Sequence, residues 1–474
     1  MTSITDAPPA QRRAAYGLAL VLTAQLMLIL DAAVINVALP LLRADLGFSP
    51  ANLSWVLNAY SLAFGGLLLF GGRLGDVIGR LRTFEIGLGI FTFASLLGGL
   101  AQDPAMLIGS RALQGVGAAI AAPSVLALIT ASAPDESSRN RGLALFSAVS
   151  SAGASIGLIL GGALTGFASW RWSLFINVPI GIMAVVLVRR FVPETARERG
   201  HFDVLGAITA TAGSVALVYG FINAADHSWT STGTIASFIA AVVLLGSFAG
   251  VERRARQPLL EPSLLRSRPR VAALGTMTLV IGAQFSLFFL LVQFMQRTLG
   301  FGAFESGVAF LPLSLAIFAV SRVTPRLVAR FGTWPLITTG AALALVSLVW
   351  LRELTNASTY WADLAGPLVI NGIGVGLLFM PLTVVVLSGV EPRHAGTASG
   401  LLQTTQQIGG ALGLAVIVTV YASHSVPGEF TPGLREAMDT GSILALIALV
   451  IAGATALGNR RPARSPELVS AAAE

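Results

Sequence analysis

The chain contains no cysteine, and all thirty of its basic residues are arginine. The first absence excludes a disulfide scaffold and thiolate metal sites. The second removes lysine-based nucleophiles and Schiff bases. Charge of either sign is also scarce. Only 11% of the 474 residues are charged, where a soluble domain carries about 25%. A chain this poor in charge has too little polarity to cover a water-facing surface of its size, so lipid is its main solvent. No phosphate-binding glycine loop, metal-spaced His/Cys cluster or nucleophile elbow occurs. The four histidines, His201, His227, His394 and His424, fall in loops or at segment ends. ATP-driven and enzymatic functions therefore have nothing to stand on, and no metal or organic cofactor is expected.

Apolar residues supply 54% of the chain, with a mean hydropathy of +0.78. A helix that crosses a bilayer needs about 20 mostly apolar residues. Such stretches lie near 16–39, 53–72, 83–101, 105–131, 142–166, 172–190, 205–224 and 233–251. They resume near 271–295, 304–321, 333–351, 364–388, 397–421 and 440–458. That makes fourteen. The polar start, Met1 to Arg13, precedes an apolar stretch long enough to span and stay, so no cleavable signal peptide is expected.

The arginines test the count. With the N-terminus in the cytoplasm, twenty-four fall on the inner side, and Arg43, Arg171, Arg297, Arg352 and Arg435 fall outside. Arg111 alone is left within a span. A missed or invented helix would scramble this split, because positive charge is retained on the cytoplasmic side. Both termini are accordingly expected inside. The net charge of +7 then belongs to membrane anchoring, and no nucleic-acid partner is expected.

An internal repeat runs through the chain. Leu46-Gly47-Phe48 recurs as Leu299-Gly300-Phe301, and Arg73-Leu74 with Gly79 recurs as Arg326-Leu327 with Gly332. Arg139 and Gly142 recur as Arg393 and Gly396. Matches at corresponding loops on the same side define a parallel repeat of six helices. The expected organisation is a tail over 1–15, a six-helix bundle over 16–200, two additional helices over 201–255, a second bundle over 256–460, and a tail over 461–474.

Within this frame a few residues carry chemistry. Asp31 lies inside the first span, with Asn36 and Pro40 after it. A carboxylate at that depth faces a water-filled path or a partner, which makes it a protonation or cation site. The competing reading ends the helix early and leaves Asp31 at a wet interface. Arg111, followed by Gln114, Gly115 and Gly117, needs an acceptor if buried; one role is to favour the ionised form of a nearby acid. Its alternative is snorkelling to the interface.

The loop Gly72-Arg73-Leu74-Gly75-Asp76-Val77-Ile78-Gly79-Arg80-Leu81-Arg82 allows only a tight turn. Asp76 among its arginines can form a charge network or meet a helix N-terminus of the other half, a contact that would break as the halves rock. Gly153, Gly157 and Gly161, with Gly162 beside them, put small residues on a helix face and permit close packing. The second half has amides instead of deep charges: Gln284, Gln293, Asn371, Gln403, Gln406 and Gln407. They either line a neutral substrate surface or bond between helices.

Together these residues resemble the major facilitator superfamily, in its fourteen-helix drug:proton antiporter branch. The stretch Leu30 to Pro40 is similar to that branch's first-helix motif, and Gly72 to Arg82 to the superfamily's loop signature. Arg111 to Gly117 resembles the fourth-helix motif. Trp170-Arg171-Trp172 with Phe175, Asn177, Pro179 and Gly181 resembles the sixth-helix entrance, and Thr404 with Gln406 to Gly410 the thirteenth helix.

The resemblance implies an all-α integral membrane protein of the major facilitator fold, arranged 6 + 2 + 6, working as a monomer in the bacterial cytoplasmic membrane. It implies export of hydrophobic or cationic small molecules in exchange for protons. The other possibility is export of one physiological metabolite such as a siderophore, peptide or self-made antibiotic. Asp31, Asn36, Arg111 and Gln114 would couple protons or meet substrate. Gly72, Arg73, Gly75, Asp76, Gly79 and Arg80 would form a conformational latch. Two departures stand out. Leu158 occupies the place of the helix-five motif's proline, which removes a kink, and Ala329 occupies the repeat position of Asp76.

Overall fold

A computed structural model describes residues 9–49, 51–131, 135–194, 203–254, 259, 262–390, 395–426 and 429–458. Among them run fourteen long helices. The first half holds α1 (Pro9–Leu46), α2 (Trp55–Ile78), α3 (Arg80–Gly99), α4 (Pro104–Ala131), α5 (Glu136–Phe167) and α6 (Trp172–Phe191). Then come α7 (Val204–Asp226) and α8 (Thr232–Glu252). The second half holds α9 (Arg268–Arg297), α10 (Ala303–Phe331), α11 (Thr333–Leu351), α12 (Tyr360–Leu387), α13 (Ala395–Ser423) and α14 (Thr431–Gly458). Thirteen are long and apolar enough to cross a bilayer, and α5 contributes a shorter apolar stretch, Ile156–Phe167. The protein is a multi-pass membrane protein.

Helices begin where side chains satisfy free backbone N–H groups. Asp135 accepts from Ser138 N at the start of α5, and Asp203 from Gly206 N at the start of α7. The Glu194 carboxylate, beyond α6, accepts from Leu81 N (2.8 Å) and Arg82 N (3.1 Å) at the start of α3. Gly79 (φ 104°) makes the turn between α2 and α3. A Cβ there would lie 2.6 Å from the Glu194 carboxyl carbon, so the backbone angle and the packed carboxylate both require glycine.

The sequence repeat is a packing repeat. In lipid, helices associate through close packing of small residues. Gly157 and Gly161 of α5 abut Ala33 and Val34 of α1, where a Cβ on Gly161 would lie 2.7 Å from Val34 Cα. The second half repeats this crossing with Gly409 and Gly413 of α13 against Thr278 and Gly282 of α9. Gly115 of α4 meets Tyr60 of α2, and Gly372 of α12 meets Leu313 of α10.

The halves touch along two related seams. Thr404 Oγ1 of α13 donates to Gly65 O of α2 at 2.9 Å. Gly307 of α10 packs on the Leu158 carbonyl of α5, and the Phe167 and Phe304 rings meet at 5.4 Å. Gln296 Nε2 of α9 also donates to Val37 O of α1 at 3.0 Å. At the position where the motif has proline, Leu158 is thus a contact between halves. The first additional helix, α7, is wedged against both halves. Its Thr211 fills the space beside Gly66 of α2, and Thr419 of α13 donates to its Phe221 O (2.8 Å). Asp226 at its end accepts from Asn52 Nδ2 at 2.8 Å. By contrast, α8 packs on α7 and leaves Ile239, Val242 and Val243 exposed, a surface suited to lipid.

Candidate functional site

The site forms where α1, α4 and α6 meet inside the first half. Helix α1 continues fifteen residues past Asp31 to Leu46, which removes the early-ending alternative. Asp31 is 2% exposed and Arg111 0%, so Arg111 does not snorkel. The two form an ion pair, Arg111 Nη1 donating to Asp31 Oδ2 at 2.5 Å. The other carboxylate oxygen, Oδ1, accepts from Gln114 Nε2 (3.0 Å) and from Asn177 Nδ2 (2.9 Å). Asp31 therefore has three donors among the described residues.

Each element has a reason to deliver its residue. Arg111 and Gln114 are three apart on α4 and share a face; Gln114 Oε1 accepts from Arg111 Nη1 at 2.7 Å. Gln114 Nε2 also donates to Ser95 Oγ of α3 at 2.7 Å. Asn177 opens the longer segment of α6, after the break between Trp172–Phe175 and Asn177–Phe191. Arg111 Nε donates to Val56 O of α2 (3.1 Å), and its guanidinium lies 4.6 Å from the Tyr60 ring centroid. A desolvated cation over an aromatic face gains about 2 kcal/mol. Arg111 Nη2 is buried with no partner among the described residues. One salt bridge thus ties α1 to α4, with α2, α3 and α6 attached through its neighbours.

The other expected residues are distributed differently. Asn36 is half-buried one turn further along α1, and its amide donates to Ala32 O at 2.9 Å. It is outside the Asp31 cluster. Asp76 pairs with Arg80 and, at 4.0 Å, with Arg73. The Arg80 side chain crosses over Gly75, and Gly72 faces Pro123 of α4. Gly153 packs on Ile29, while Gly162 turns to Ala303 and Phe304 of α10, so the four glycines serve two interfaces.

Gln293 is buried and bonds to its own helix at Phe289 O (3.2 Å). Gln284 Nε2 and Asn371 Oδ1 are buried with no partner among the described residues. Gln403, Gln406 and Gln407 are half-buried on α13, with Gln407 against Gly65 of α2.

Asn177 is the member that reasoning on isolated residues did not place in the site. Its signal was the sixth-helix motif, which contains it. Asn58 of α2, not among the expected residues, is 0% exposed, and neither amide atom has a partner among the described residues.

Two pseudo-symmetric six-helix halves, one of them holding a buried acid–base pair, form the architecture of an alternating-access transporter. The Major Facilitator Superfamily profile matches residues 21–414. The chain belongs to this superfamily. It is 42% identical over 434 residues to a cephamycin export protein of Amycolatopsis lactamdurans, covering 89% of each chain. It is 39% identical over 413 residues to a puromycin resistance protein of Streptomyces alboniger, covering 85% of this chain and 81% of that one. Among solved structures, a bacterial homologue of the lysosomal transporter Spinster superposes with a TM-score of 0.67 at 18% identity, over 97% of this chain and 100% of that one. The protein is a membrane transporter of small molecules, resident in the cell membrane.

Proposed function

We propose that this transporter exports an antibiotic or a related toxic small molecule in exchange for protons, with Asp31 as the coupling acid. The observation that supports the coupling is the Asp31–Arg111 pair, fully buried between α1 and α4, with Asn177 of α6 on the same carboxylate. Its relatives' names supply the cargo class: cephamycin export, puromycin resistance and lincomycin resistance.

In the ionised state the carboxylate holds α1 to Arg111 and Gln114 of α4 and to Asn177 of α6. A proton on Asp31 removes the charge that Arg111 faces, and the guanidinium then relies on Gln114, Val56 O and the Tyr60 ring. Each arriving proton thereby weakens the hold of α1 on α4 within the first half, and α1, whose Val37 O accepts from Gln296 of the second half, carries the change to the seam between the halves. Release to the inner side restores the hold. A membrane potential of 100 mV adds about 2.3 kcal/mol per proton moving inward. The Asp76–Arg80 pair at the α2–α3 turn would latch one conformation, and both termini lie in the cytoplasm.

The test is substrate-driven proton movement in proteoliposomes, native against Asp31→Asn, with a panel of antibiotics and lipophilic cations. Compound-dependent flux that disappears in Asp31→Asn supports antiport. Flux retained in that variant would remove Asp31 from the coupling role. A response to one compound alone would favour a dedicated metabolite exporter, a reading that the cephamycin and puromycin relatives also support.

A further inference from the structure

A cleft of about 760 Å³ opens between the halves where α1 and α9 end. Its rim is built from two copies of one turn. Gly47 (φ 73°) follows α1 and Gly300 (φ 72°) follows α9, and each precedes a phenylalanine, Phe48 and Phe301, that lines the cleft. The ends of α5 and α10 supply Thr165 and Ala303. Among the described residues, the charged ones in the lining are Arg43, from the first half, and Arg297, from the second.

Arg43 donates through Nε to Phe48 O at 3.3 Å, and Arg297 lies 5.7 Å from the Phe430 ring centroid. Neither forms an ion pair among the described residues. Asp45 and Glu305, each within two residues of the lining, are engaged elsewhere. Asp45 accepts from Arg171 (2.7 Å) and Trp170 (2.9 Å), and Glu305 turns back onto Gly302 N (2.8 Å). Each arginine sits in the last turn of its helix, where a cation complements the helix dipole. That accounts for each arginine separately. It does not account for two arginines from different halves lining one cleft that has no acid among its described lining residues, at an end where Gln296, Phe167 and Phe304 hold the halves together.

We propose that this cleft binds an anion with a carboxylate or phosphate group, shared between Arg43 and Arg297. Two planar guanidinium forks match two or three oxygen acceptors. The bound anion also cancels the repulsion between the arginines. Because the arginines belong to different halves, the site is complete only while this end is closed, and occupancy favours that state. A soluble organic anion and an anionic lipid headgroup present the same chemistry. The proposal rests on the two-half architecture and not on the export reading, so transport assays and this binding test can fail separately.

The experiment uses the full chain in phosphatidylcholine nanodiscs, with inorganic phosphate titrated against chloride at constant ionic strength. Thermal unfolding is followed by tryptophan fluorescence. A saturable rise in the melting midpoint is expected, weakened at least about tenfold in apparent affinity by Arg43→Gln or Arg297→Gln and absent when both are changed. Arg43→Lys and Arg297→Lys, which keep charge but lose the fork, should fall between, and they carry the test if the double variant does not fold.

Phosphatidylglycerol nanodiscs separate the sources. An arginine-dependent rise with lipid that abolishes the phosphate response assigns the headgroup; a phosphate response that persists there assigns a soluble anion. Spin labels at Phe167→Cys and Phe304→Cys should report a narrower, shorter distance with phosphate. No response to phosphate or phosphatidylglycerol, or an equal response in the native and double-glutamine proteins, overturns the proposal.

Discussion

Replacing Arg111 by methionine isolates what the buried pair contributes. The change leaves the Asp31 carboxylate with two amide donors, Gln114 and Asn177, and no positive charge, in a place where both side chains of the pair are 0% exposed. Removing one partner of a buried pair costs about 3–5 kcal/mol, because the remaining charge is left uncompensated. Asp31→Asn should cost less at that end, since Arg111 keeps Val56 O, Gln114 Oε1 and the Tyr60 ring. The double variant leaves no buried charge at all. It should be more stable than Arg111→Met alone, with a coupling energy of about 3 kcal/mol in a double-mutant cycle. Equilibrium unfolding by dodecyl sulfate in mixed micelles measures all four proteins. A coupling below about 0.5 kcal/mol would refute the pair as an energetic unit. The double variant should also be folded and unable to couple protons, which separates chemistry from stability.

Four further outcomes follow from the packing. Gly161→Ala should destabilise by about 1–3 kcal/mol, because its Cβ meets Val34 backbone, and more than Gly153→Ala, whose Cβ meets only side-chain atoms of Ile29 and Leu26; the same unfolding titration ranks them. Asn58→Leu should raise stability by about 1–2 kcal/mol, since it removes an amide whose two polar atoms are unpaired among the described residues; a loss of stability would mean that the amide is bonded to water or cargo. Gly79→Ala should lower the melting midpoint and expose Glu194, whereas Ala at the uncrowded Gly89 should not. With no native cysteine, single cysteines can map sidedness: Ser228→Cys should react with an impermeant maleimide from outside, and Arg82→Cys only after the membrane is opened.

The fold was legible because the bilayer imposes simple demands. Every span must be long and apolar, and basic residues stay on one side. Those demands leave a one-dimensional record, and the fourteen expected spans correspond to fourteen helices. The spacing of Gly157 and Gly161 announced a packed face, since residues four apart lie together on any helix. The same arithmetic cannot name the neighbour. That Gly161 meets Val34 while the adjacent Gly162 meets Ala303 of the other half is settled by how the bundles dock.

The site divides in the same way. Asp31 and Arg111 were conspicuous as charges within apolar runs, because lipid makes each costly alone. Their pairing spans 80 residues of chain and depends on the crossing of α1 with α4. Asn177 joins from a separation of 146 residues, and an amide in an apolar helix is too common to point to a partner. Asn36, near Asp31 in sequence, is excluded from the cluster by the 100° step of the helix. The sequence by itself determined that this protein is a multi-pass helical membrane protein and that Asp31 and Arg111 must be neutralised. Only the tertiary structure decided that they neutralise each other, because solvation cost is a property of a residue, whereas contact is a property of the packing.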